Sequence, residues 1–407
     1  MQRRVVITGM GLNSGLGQNL TEAWSDIRSG NTALRDYQVS VPSADELQTH
    51  VLAAPAMDEG FKELLKTFDR KLVGRVDRSS NLAALAALQA INDAGLVPES
   101  FDEEDCAVVI GAASGGNISV QAAYERMFLK KSPSVHPLTL PGAMPSGPAS
   151  HVSALFKTRG ICFCTASACA GSAHAIGEAM HLISSGRAEV AIAGGGDASL
   201  NFGSVLSWKA LRAVSDSTCR PFSLDRDGTG LGEGGAVVIL ESLTHARKRG
   251  ANIAAEIVGY GASSDAGHLT QPDHKGAILA IERAYCDLEV RPALISAHGT
   301  GTVLNDKSEA RALKHVFGDV LEDCLVTATK SLHGHMLGAS GAAELVIAIK
   351  AMNSRQMPPI AGFTKEDPDC DLPLILKPEE ADFEYVLSTA FGFGGANCAL
   401  VVKKFDE

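Results

Sequence analysis

The chain has 407 residues, of which 45% are hydrophobic and 20% charged, as is usual for a globular protein with a large buried core. At that length we expect two or three domains. The net charge of −11 argues against general nucleic-acid binding, although it leaves room for a local basic patch that binds an acidic protein.

The N-terminus passes almost directly into the strand-like run RRVVITGMG, with no apolar signal region before it. No stretch reaches the roughly 18 uninterrupted apolar residues that a membrane-spanning helix needs. The nine cysteines are scattered and mostly embedded in apolar runs, which is typical of free thiols in a reducing compartment. We therefore expect a cytoplasmic protein without a membrane partner.

Short apolar runs predict buried strands along the whole chain, and helical patterns separate several of them. A helix predicted at 79–95 has Ser at its start, Gly at its end and an apolar stripe between them, and 275–288 is similar. The strand runs are RRVVITG, AVVIGA, EVAIAGG, AVVILES, AEIVGYG, ALISAHG, LVTATK and CALVVKK. This alternation predicts an α/β fold with parallel or mixed sheets covered by helices.

Two segments share one pattern. The run ICFCTAS leads into ACAGSAHAIGEAMHLISSG, and LVTATKS leads through a turn into GHMLGASGAAELVIAIKAM. Each has a strand, a turn and an Ala/Gly-rich helix with a reactive side chain near its start. We infer two related halves, 1–250 and 251–407, although strand–helix similarity is common in unrelated α/β units.

Cys169 lies in TASACAGSAHAIG, where a strand gives way to a helix. Unpaired amides and the helix dipole at such a point favour a thiolate. The small neighbours from Ala166 to Gly171 leave room for a bulky substrate. The segment therefore indicates a nucleophile, with a buried structural cysteine as the alternative.

Two further segments carry histidines. His298 follows an apolar run in SAHGTGTVLND, at the point where an α/β sheet exposes groups to ligands. A hydrogen-bonded turn histidine is the alternative. Lys330, His333 and His335 lie together in TKSLHGHMLGASGAAE, before a glycine-rich helix.

Metal and phosphate sites are the alternatives for these segments. The chain lacks HExxH and any paired CxxC, and alternation along a strand explains Cys162 and Cys164. In FGFGGANCALVVKK, the glycines at Gly392, Gly394 and Gly395 let backbone amides approach a ligand. The Walker pattern is absent, and GMGLNSG does not keep GxGxxG spacing, so we predict neither a metal nor a phosphate loop.

In this order, the cysteine segment, HGTGT, KSxxGHxxGAxG and FGFGG resemble the elongating β-ketoacyl-acyl-carrier-protein synthases. The resemblance covers nearly the whole chain, including CRPFSLDRDGTGLGEGG and AEIVGYGASSD. It implies a thiolase-like fold of two similar halves, layered α/β/α/β/α around mixed five-stranded sheets. It also implies decarboxylative condensation of an acyl group with malonyl-carrier, without a metal or redox cofactor, because the substrates are carried on phosphopantetheine.

The resemblance assigns the chemistry to particular residues. Cys169 is the acyl-accepting nucleophile, and His298 and His335 bind the malonyl thioester carbonyl. The main-chain amides of Cys169 and Phe393 form the oxyanion hole, and Phe393 also gates the acyl pocket. Lys330 has an electrostatic role near the two histidines. The supporting residues are Glu309, Glu344 and Phe391.

The chain departs from its relatives at three positions. Thr389 and Ala390 stand before FGFGG where many relatives have Asn-Ser, and His333 stands where relatives often have Thr or another small residue. We expect these changes to bear on substrate preference or pocket protonation. Ser114 falls in the loop that lines the acyl pocket of relatives, and its small size predicts room for a medium or long chain.

The resemblance also implies partners. Acyl carrier proteins are strongly acidic, so docking needs local positive charge. We expect it at Lys71, Lys130, Lys131 and Arg212, whereas Gly74 stands at one expected docking arginine. The chain is expected to form a homodimer.

The resemblance leaves several functions open. Fatty-acid elongation is the first, and a polyketide or polyene synthase is the second. A non-condensing subunit of a heterodimer usually lacks the nucleophile that this chain has. A thiolase-like CoA enzyme would use a second cysteine in place of the two-histidine set.

Overall fold

A computed structural model describes residues 3–74, 76–97, 102–286, 288, 290 and 292–406. Ten strands form its central sheet. They are β1 (Val5–Asn13), β2 (Cys106–Gly111), β3 (Cys162–Thr165), β4 (Val190–Asp197), β5 (Gly234–Ser242), β6 (Ala255–Ser264), β7 (Leu294–Ser296), β8 (Leu325–Thr327), β9 (Tyr385–Gly392) and β10 (Ala396–Lys403).

The helices lie between these strands. They are α1 (Leu20–Ser29), α2 (Phe61–Thr67), α3 (Arg70–Val73), α4 (Arg78–Asp93), α5 (Asn117–Tyr124), α6 (Thr139–Ala143), α7 (Gly147–Phe156), α8 (Gly171–Ser184), α9 (Phe202–Ala210), α10 (Leu243–Lys248), α11 (His274–Ala284), α12 (Val303–Phe317), α13 (Lys330–His333) and α14 (Ser340–Ser354). A π-helical turn, Glu125–Leu129, continues α5. In the described parts of the chain, no helix is both long and apolar enough to cross a membrane.

The two halves of the sheet have the same strand order. The first runs β3-β2-β4-β5-β1 and the second β8-β7-β9-β10-β6. In each half the first three strands are parallel to one another, and the third-to-fourth and fourth-to-fifth pairings are antiparallel. The prediction of mixed five-stranded sheets is therefore confirmed, with one addition. The sheets are joined, because Val5–Ile7 of β1 pairs with 255–257 of β6.

Two buried helices form the middle layer. Helices α8 and α14 pack against each other and against both halves of the sheet in one apolar cluster. Helices α4 and α7 cover the outer face of the first half, and α11 and α12 cover the outer face of the second. An all-round apolar helix needs burial on every side, which this position supplies. The predicted α/β/α/β/α layering is confirmed.

Strands are observed at the apolar runs that predicted them. The predicted helix at 79–95 corresponds to α4, and α11 ends at Ala284, before the predicted 288. Residue 287 of that prediction lies outside the described residues. Strand β9 was missed because it runs into the glycine-rich motif, whose composition favours a turn.

The hairpin of Arg35–Val41 with Ala44–Ala54 was also missed. Its first strand is mostly exposed, and several polar side chains interrupt the apolar pattern of the second. Leu231–Gly232 pairs with this hairpin to make a small three-stranded sheet. The other short strands, Gln356–Met357 and Glu379–Glu380, pair with each other. The predicted division of the chain near residue 250, between β5 and β6, stays a prediction.

Four strands lead into the chemical segments. The Cys169 turn follows β3, the His298 loop follows β7, Lys330 follows β8, and β9 ends at Gly392. The carboxyl ends of the parallel strands β7, β8 and β9 meet at one edge of the second half, which is where α/β folds bind ligands. Followed through the ladder, β3 runs antiparallel to these strands, so packing of the two halves on each other brings the Cys169 turn to that edge. Contact is close there, since a Cβ on Gly111 would lie 2.2 Å from the carbonyl carbon of Gly171 at the start of α8.

Candidate active site

Cys169 lies in a short 3-10 turn, Ala168–Ala170, directly before α8. Ala168 has a φ of +50°, a left-handed conformation that is uncommon for a residue with a Cβ. Cys169 itself is 5% exposed. A Cβ on Gly392 would lie 2.8 Å from the Ser167 carbonyl oxygen, so the end of β9 packs directly on this turn.

Burial dominates the protonation of Cys169. Desolvation raises the pKa of its thiol to about 12, against the lowering effects of the Lys330 charge and of a hydrogen bond from the Phe393 main-chain amide. From the helix start we expected a thiolate. The resting site does not favour one, because the loss of water outweighs the Lys330 charge and the Phe393 hydrogen bond.

Glu309 fixes the main chain of His298. Its carboxylate accepts the amide of His298 at 2.8 Å and that of Gly299 at 2.8 Å. Thr389 donates its hydroxyl to the same carboxylate at 2.7 Å and lies 3.1 Å from the His298 amide nitrogen. Burial raises the pKa of Glu309. Thr389 thus belongs to the support of His298, a role that the sequence argument did not assign to it.

Lys330 is fully buried and holds His298 from the other side. Its Nζ lies 2.5 Å from the His298 carbonyl oxygen and 3.1 Å from His298 Nδ1, and it also pairs with Glu344. A lysine ammonium only donates, so Nδ1 is the acceptor and the proton of the neutral ring lies on Nε2. Lys330 therefore sets the tautomer of His298.

His335 lies beside His298. The two ring centroids are 5.5 Å apart at 84°, and His335 Nδ1 lies 2.9 Å from Ser340 Oγ. Desolvation first, and the Lys330 charge second, lower the pKa of both rings well below the usual value for histidine. Both imidazoles are therefore neutral near pH 7.

Two other titratable groups are buried nearby. Burial raises the pKa of Glu344 to about 7, and its Oε2 has no hydrogen-bond partner among the described residues. His333 bonds to Thr329 at 3.0 Å and to the Gly334 carbonyl at 2.7 Å, and burial lowers its pKa to about 3. Because His333 borders neither cavity described below, its ring supports the backbone of this segment.

Two cavities meet at Cys169. A cleft of about 280 Å³ contains His298, His335, Phe391 and Arg212 in its walls. A second cavity, of about 720 Å³, includes Ser114 in its lining.

Cys169, Phe393 and Trp208 border both cavities. Trp208 stacks on Phe393 with centroids 5.5 Å apart at 29°, and its ring lies 6.3 Å from that of His335. Sequence reasoning missed Trp208. The signal available was its rarity, since the chain has two tryptophans and this one stands four residues before Arg212.

The remaining predicted residues are spread more widely. Phe391 lies with its ring 5.7 Å from that of His298. Lys71, Lys130 and Lys131 are exposed, and none of them borders the cleft that contains Arg212. Over the described residues, no group of three His, Cys, Asp or Glu side chains is arranged to hold a metal ion.

A loop that the sequence argument missed contacts the glycine-rich turn. The Gly394 amide donates to the Leu269 carbonyl at 2.8 Å, and the Asp265 amide donates to the Gly395 carbonyl at 3.0 Å. Asn397 Nδ2 also donates to Asp265 Oδ1 at 2.7 Å. A movement of Phe393 therefore requires these bonds to rearrange.

Comparison with known proteins gives one family. Residues 2–246 match the beta-ketoacyl synthase N-terminal domain, and residues 254–364 match the C-terminal domain. Nodulation protein E of Rhizobium leguminosarum bv. trifolii is 38% identical over 99% of this chain and 100% of its own length. 3-Oxoacyl-[acyl-carrier-protein] synthase 2 of Staphylococcus aureus (strain COL) is 33% identical over 99% of both chains.

Solved structures agree with this match. The ishigamide ketosynthase/chain length factor has a TM-score of 0.91 and 29% identity, with both chains fully covered. A type II PKS acyl-carrier protein in complex with its ketosynthase bound to the hexaketide has a TM-score of 0.87 and 28% identity, also with full coverage.

The raised pKa of Cys169 predicts how the free enzyme reacts with iodoacetamide. The neutral thiol prevails at pH 7, and the reactive thiolate fraction grows about tenfold per pH unit until the pKa is reached. We expect the alkylation rate of the Cys169 peptide, followed by mass spectrometry from pH 6.5 to 9.5, to rise without levelling off. A cysteine in an unstructured peptide with blocked ends is the control, since its rate levels off as the pH passes its pKa of about 8.5. A plateau for Cys169 below pH 8 would contradict the prediction.

Proposed function

The chain belongs to the β-ketoacyl synthase family, as its sequence predicted, and from that premise we propose that it extends carrier-bound acyl chains in fatty-acid elongation. It is a condensing enzyme that transfers acyl groups. The observation that supports the chemistry is a buried thiol beside two neutral imidazoles, one of them with its tautomer set by Lys330.

The first step loads the enzyme. The sulfur of Cys169 attacks the thioester carbonyl of the acyl carrier, and the main-chain amides of Cys169 and Phe393 bind the developing oxyanion. The carbon–sulfur bond to phosphopantetheine then breaks, and the departing thiolate takes the proton that Cys169 loses. A neutral resting thiol suits this exchange, because no charge has to be buried before the substrate arrives.

The second step forms the new carbon–carbon bond. His298 and His335 donate to the thioester carbonyl of malonyl-carrier, and these donors stabilise the enolate that remains when carbon dioxide leaves. The enolate attacks the acyl-Cys169 carbonyl, and the carbon–sulfur bond to Cys169 breaks. The Cys169 thiolate takes up a proton from water, and β-ketoacyl-carrier departs. A neutral imidazole can donate its one N–H without first burying a charge, and in His298 that proton lies on Nε2.

Phe393 and Trp208 separate the two steps. The acyl chain occupies the larger cavity while the carrier arm occupies the smaller cleft, and the stacked rings stand between them. Displacement of Phe393 opens the larger cavity for loading. Its return closes off the loaded chain before malonyl enters.

Intact mass spectrometry tests this sequence of steps. After incubation with acyl-carrier, we expect the protein to gain one acyl group, and malonyl-carrier to remove it and yield β-ketoacyl-carrier. Cys169→Ala should gain no mass. His335→Ala should still load but should condense about 100-fold more slowly, the usual effect of losing one such donor. Acylation of Cys169→Ala, or no acylation by any carrier, would contradict the mechanism.

We also propose that an acidic carrier docks near Arg212. Arg212 borders the cleft that leads to Cys169, and the exposed Lys71, Lys130 and Lys131 supply further charge. The carrier in complex with its ketosynthase among the similar structures supports this partner.

Charge reversal tests the docking site. Arg212→Glu is expected to raise KM for acyl-carrier about tenfold at low salt with a smaller change in kcat, because rim charges act mainly on association. Lys248→Glu on α10 is the control, since that helix borders neither cavity. Equal effects of the two reversals would rule out a local docking role for Arg212.

A homodimer is the third proposal. Strand β3 is an edge of the sheet, and its Phe163 is exposed. Two further apolar side chains, Phe128 and Leu140, are 71% and 74% exposed. Exposed edges and apolar patches of this kind are normally covered. A second copy would cover them and seal the larger cavity.

Light scattering after gel filtration tests this assembly. We expect about twice the 42.5 kDa chain mass for the wild type, and a monomer for Phe163→Asp, because a charge on the edge strand opposes pairing. Leu376→Asp, at another exposed apolar position, should stay dimeric. A monomeric wild type would contradict the proposal.

A polyketide pathway is the second candidate. The observation that favours it is the lining of the larger cavity, where polar side chains run along one wall.

A further inference from the structure

One wall of the acyl cavity is polar. Its apolar side includes Val41, Leu47, Val120 and Leu129. The polar side chains come from the loop before α5, from α5 and the π-helical turn after it, and from α9 and the loop before it. We call this set the polar wall, and it consists of Ser114, Asn117, Gln121, Glu125, Ser199 and Ser204.

Asn117 leaves the hydroxyl hydrogen of Ser204 without an acceptor. Its Nδ2 donates to Ser114 Oγ at 2.8 Å and to Ser204 Oγ at 3.1 Å. Both serine oxygens therefore accept, and each keeps its own hydrogen. Ser199 donates its hydrogen to Asp197 at 3.0 Å, so its oxygen can accept the Ser114 hydrogen at 3.5 Å, whereas no described residue accepts the hydrogen of Ser204.

The Ser204 hydroxyl borders the cavity that would hold the acyl chain. Before loading, water can accept its hydrogen, but an acyl chain displaces that water. A fully saturated chain offers no acceptor, so this hydroxyl would lose a hydrogen bond on loading. A chain with a carbonyl or hydroxyl oxygen would restore that bond.

The polar wall extends along α5. Asn117, Gln121 and Glu125 follow one another at intervals of four residues, which is about 6 Å of helix per step. Gln121 accepts from the Phe202 amide at 3.0 Å and from Asn201 at 3.1 Å, and it donates to Glu125 at 3.0 Å. Polar groups thus accompany the chain over a distance of several carbon atoms.

We propose that the acyl chain accepted by this cavity carries oxo or hydroxyl groups that earlier condensations left unreduced. This inference rests on the proposed condensing chemistry, and its substrate class is that of the polyketide candidate in place of the fully reduced chains of fatty-acid elongation. It places the enzyme after at least one condensation whose β-carbonyl oxygen was not removed by complete reduction and dehydration.

Competition between carrier-bound chains tests the proposal. Octanoyl-, 3-hydroxyoctanoyl-, 5-hydroxyoctanoyl- and 2,4-octadienoyl-carrier are compared with wild-type enzyme by kcat/KM for condensation with malonyl-carrier. Ser204→Ala removes a hydroxyl whose hydrogen has no acceptor. Ser207→Ala is the matched control on the same helix and cavity, because the Ser207 hydroxyl already donates to the Gly203 carbonyl at 2.9 Å.

We expect one of the hydroxylated chains to exceed octanoyl at least threefold, and Ser204→Ala to reduce that ratio about threefold to tenfold, the range of one neutral hydrogen bond. Ser207→Ala should leave the ratio unchanged. A wild-type enzyme that prefers octanoyl or octadienoyl chains would overturn the inference and leave the condensing function intact. An unchanged ratio in Ser204→Ala would also overturn it, provided that octanoyl is still condensed. Failure of every chain to load Cys169 would overturn both proposals.

Discussion

The contact on which the site depends is the one between the buried Lys330 ammonium and His298. Lys330 has no exposure to solvent, and it donates to the carbonyl oxygen and ring nitrogen of His298 while it pairs with Glu344. Losing one partner of a buried ion pair typically costs about 3–5 kcal/mol, because the other charge stays without compensation. The pair therefore fixes α13, α14 and the His298 loop relative to one another, and with them the direction of the His298 Nε2 proton.

The same dry interior explains the protonation of the other groups. Desolvation lowers the pKa of His298 and His335 and raises that of Cys169, so nucleophile and donors rest in neutral forms. Condensation by an enolate needs donors of this kind, since a site open to water would protonate the carbanion and weaken each hydrogen bond to it. The interior burial that makes the thiol a poor acid thus also makes the imidazoles useful donors.

The two halves of the fold contribute different parts of one site. The first supplies Cys169 at the start of α8, and the second supplies His298, Lys330 and the glycine-rich turn. These parts meet because α8 and α14 pack together between the two halves of the sheet, and the end of β9 packs on the Cys169 turn. Trp208 comes from α9, outside this repeated framework, and its stacking on Phe393 divides the space around Cys169 into the smaller cleft and the larger cavity.

The sequence by itself determined the α/β fold, its two similar halves and the family, because apolar runs specify buried strands and the glycine- and histidine-containing motifs keep fixed spacing. It could not determine that Thr389 supports His298, that Trp208 borders both cavities, or that Ser114 and Ser204 share Asn117. It also gave the wrong protonation for Cys169, since a helix start is visible in the sequence but the loss of water is not. Those features depend on contacts between residues far apart in the sequence, such as Thr389 with His298 and Trp208 with Phe393, and on solvent exclusion. Only the packed tertiary structure decides both.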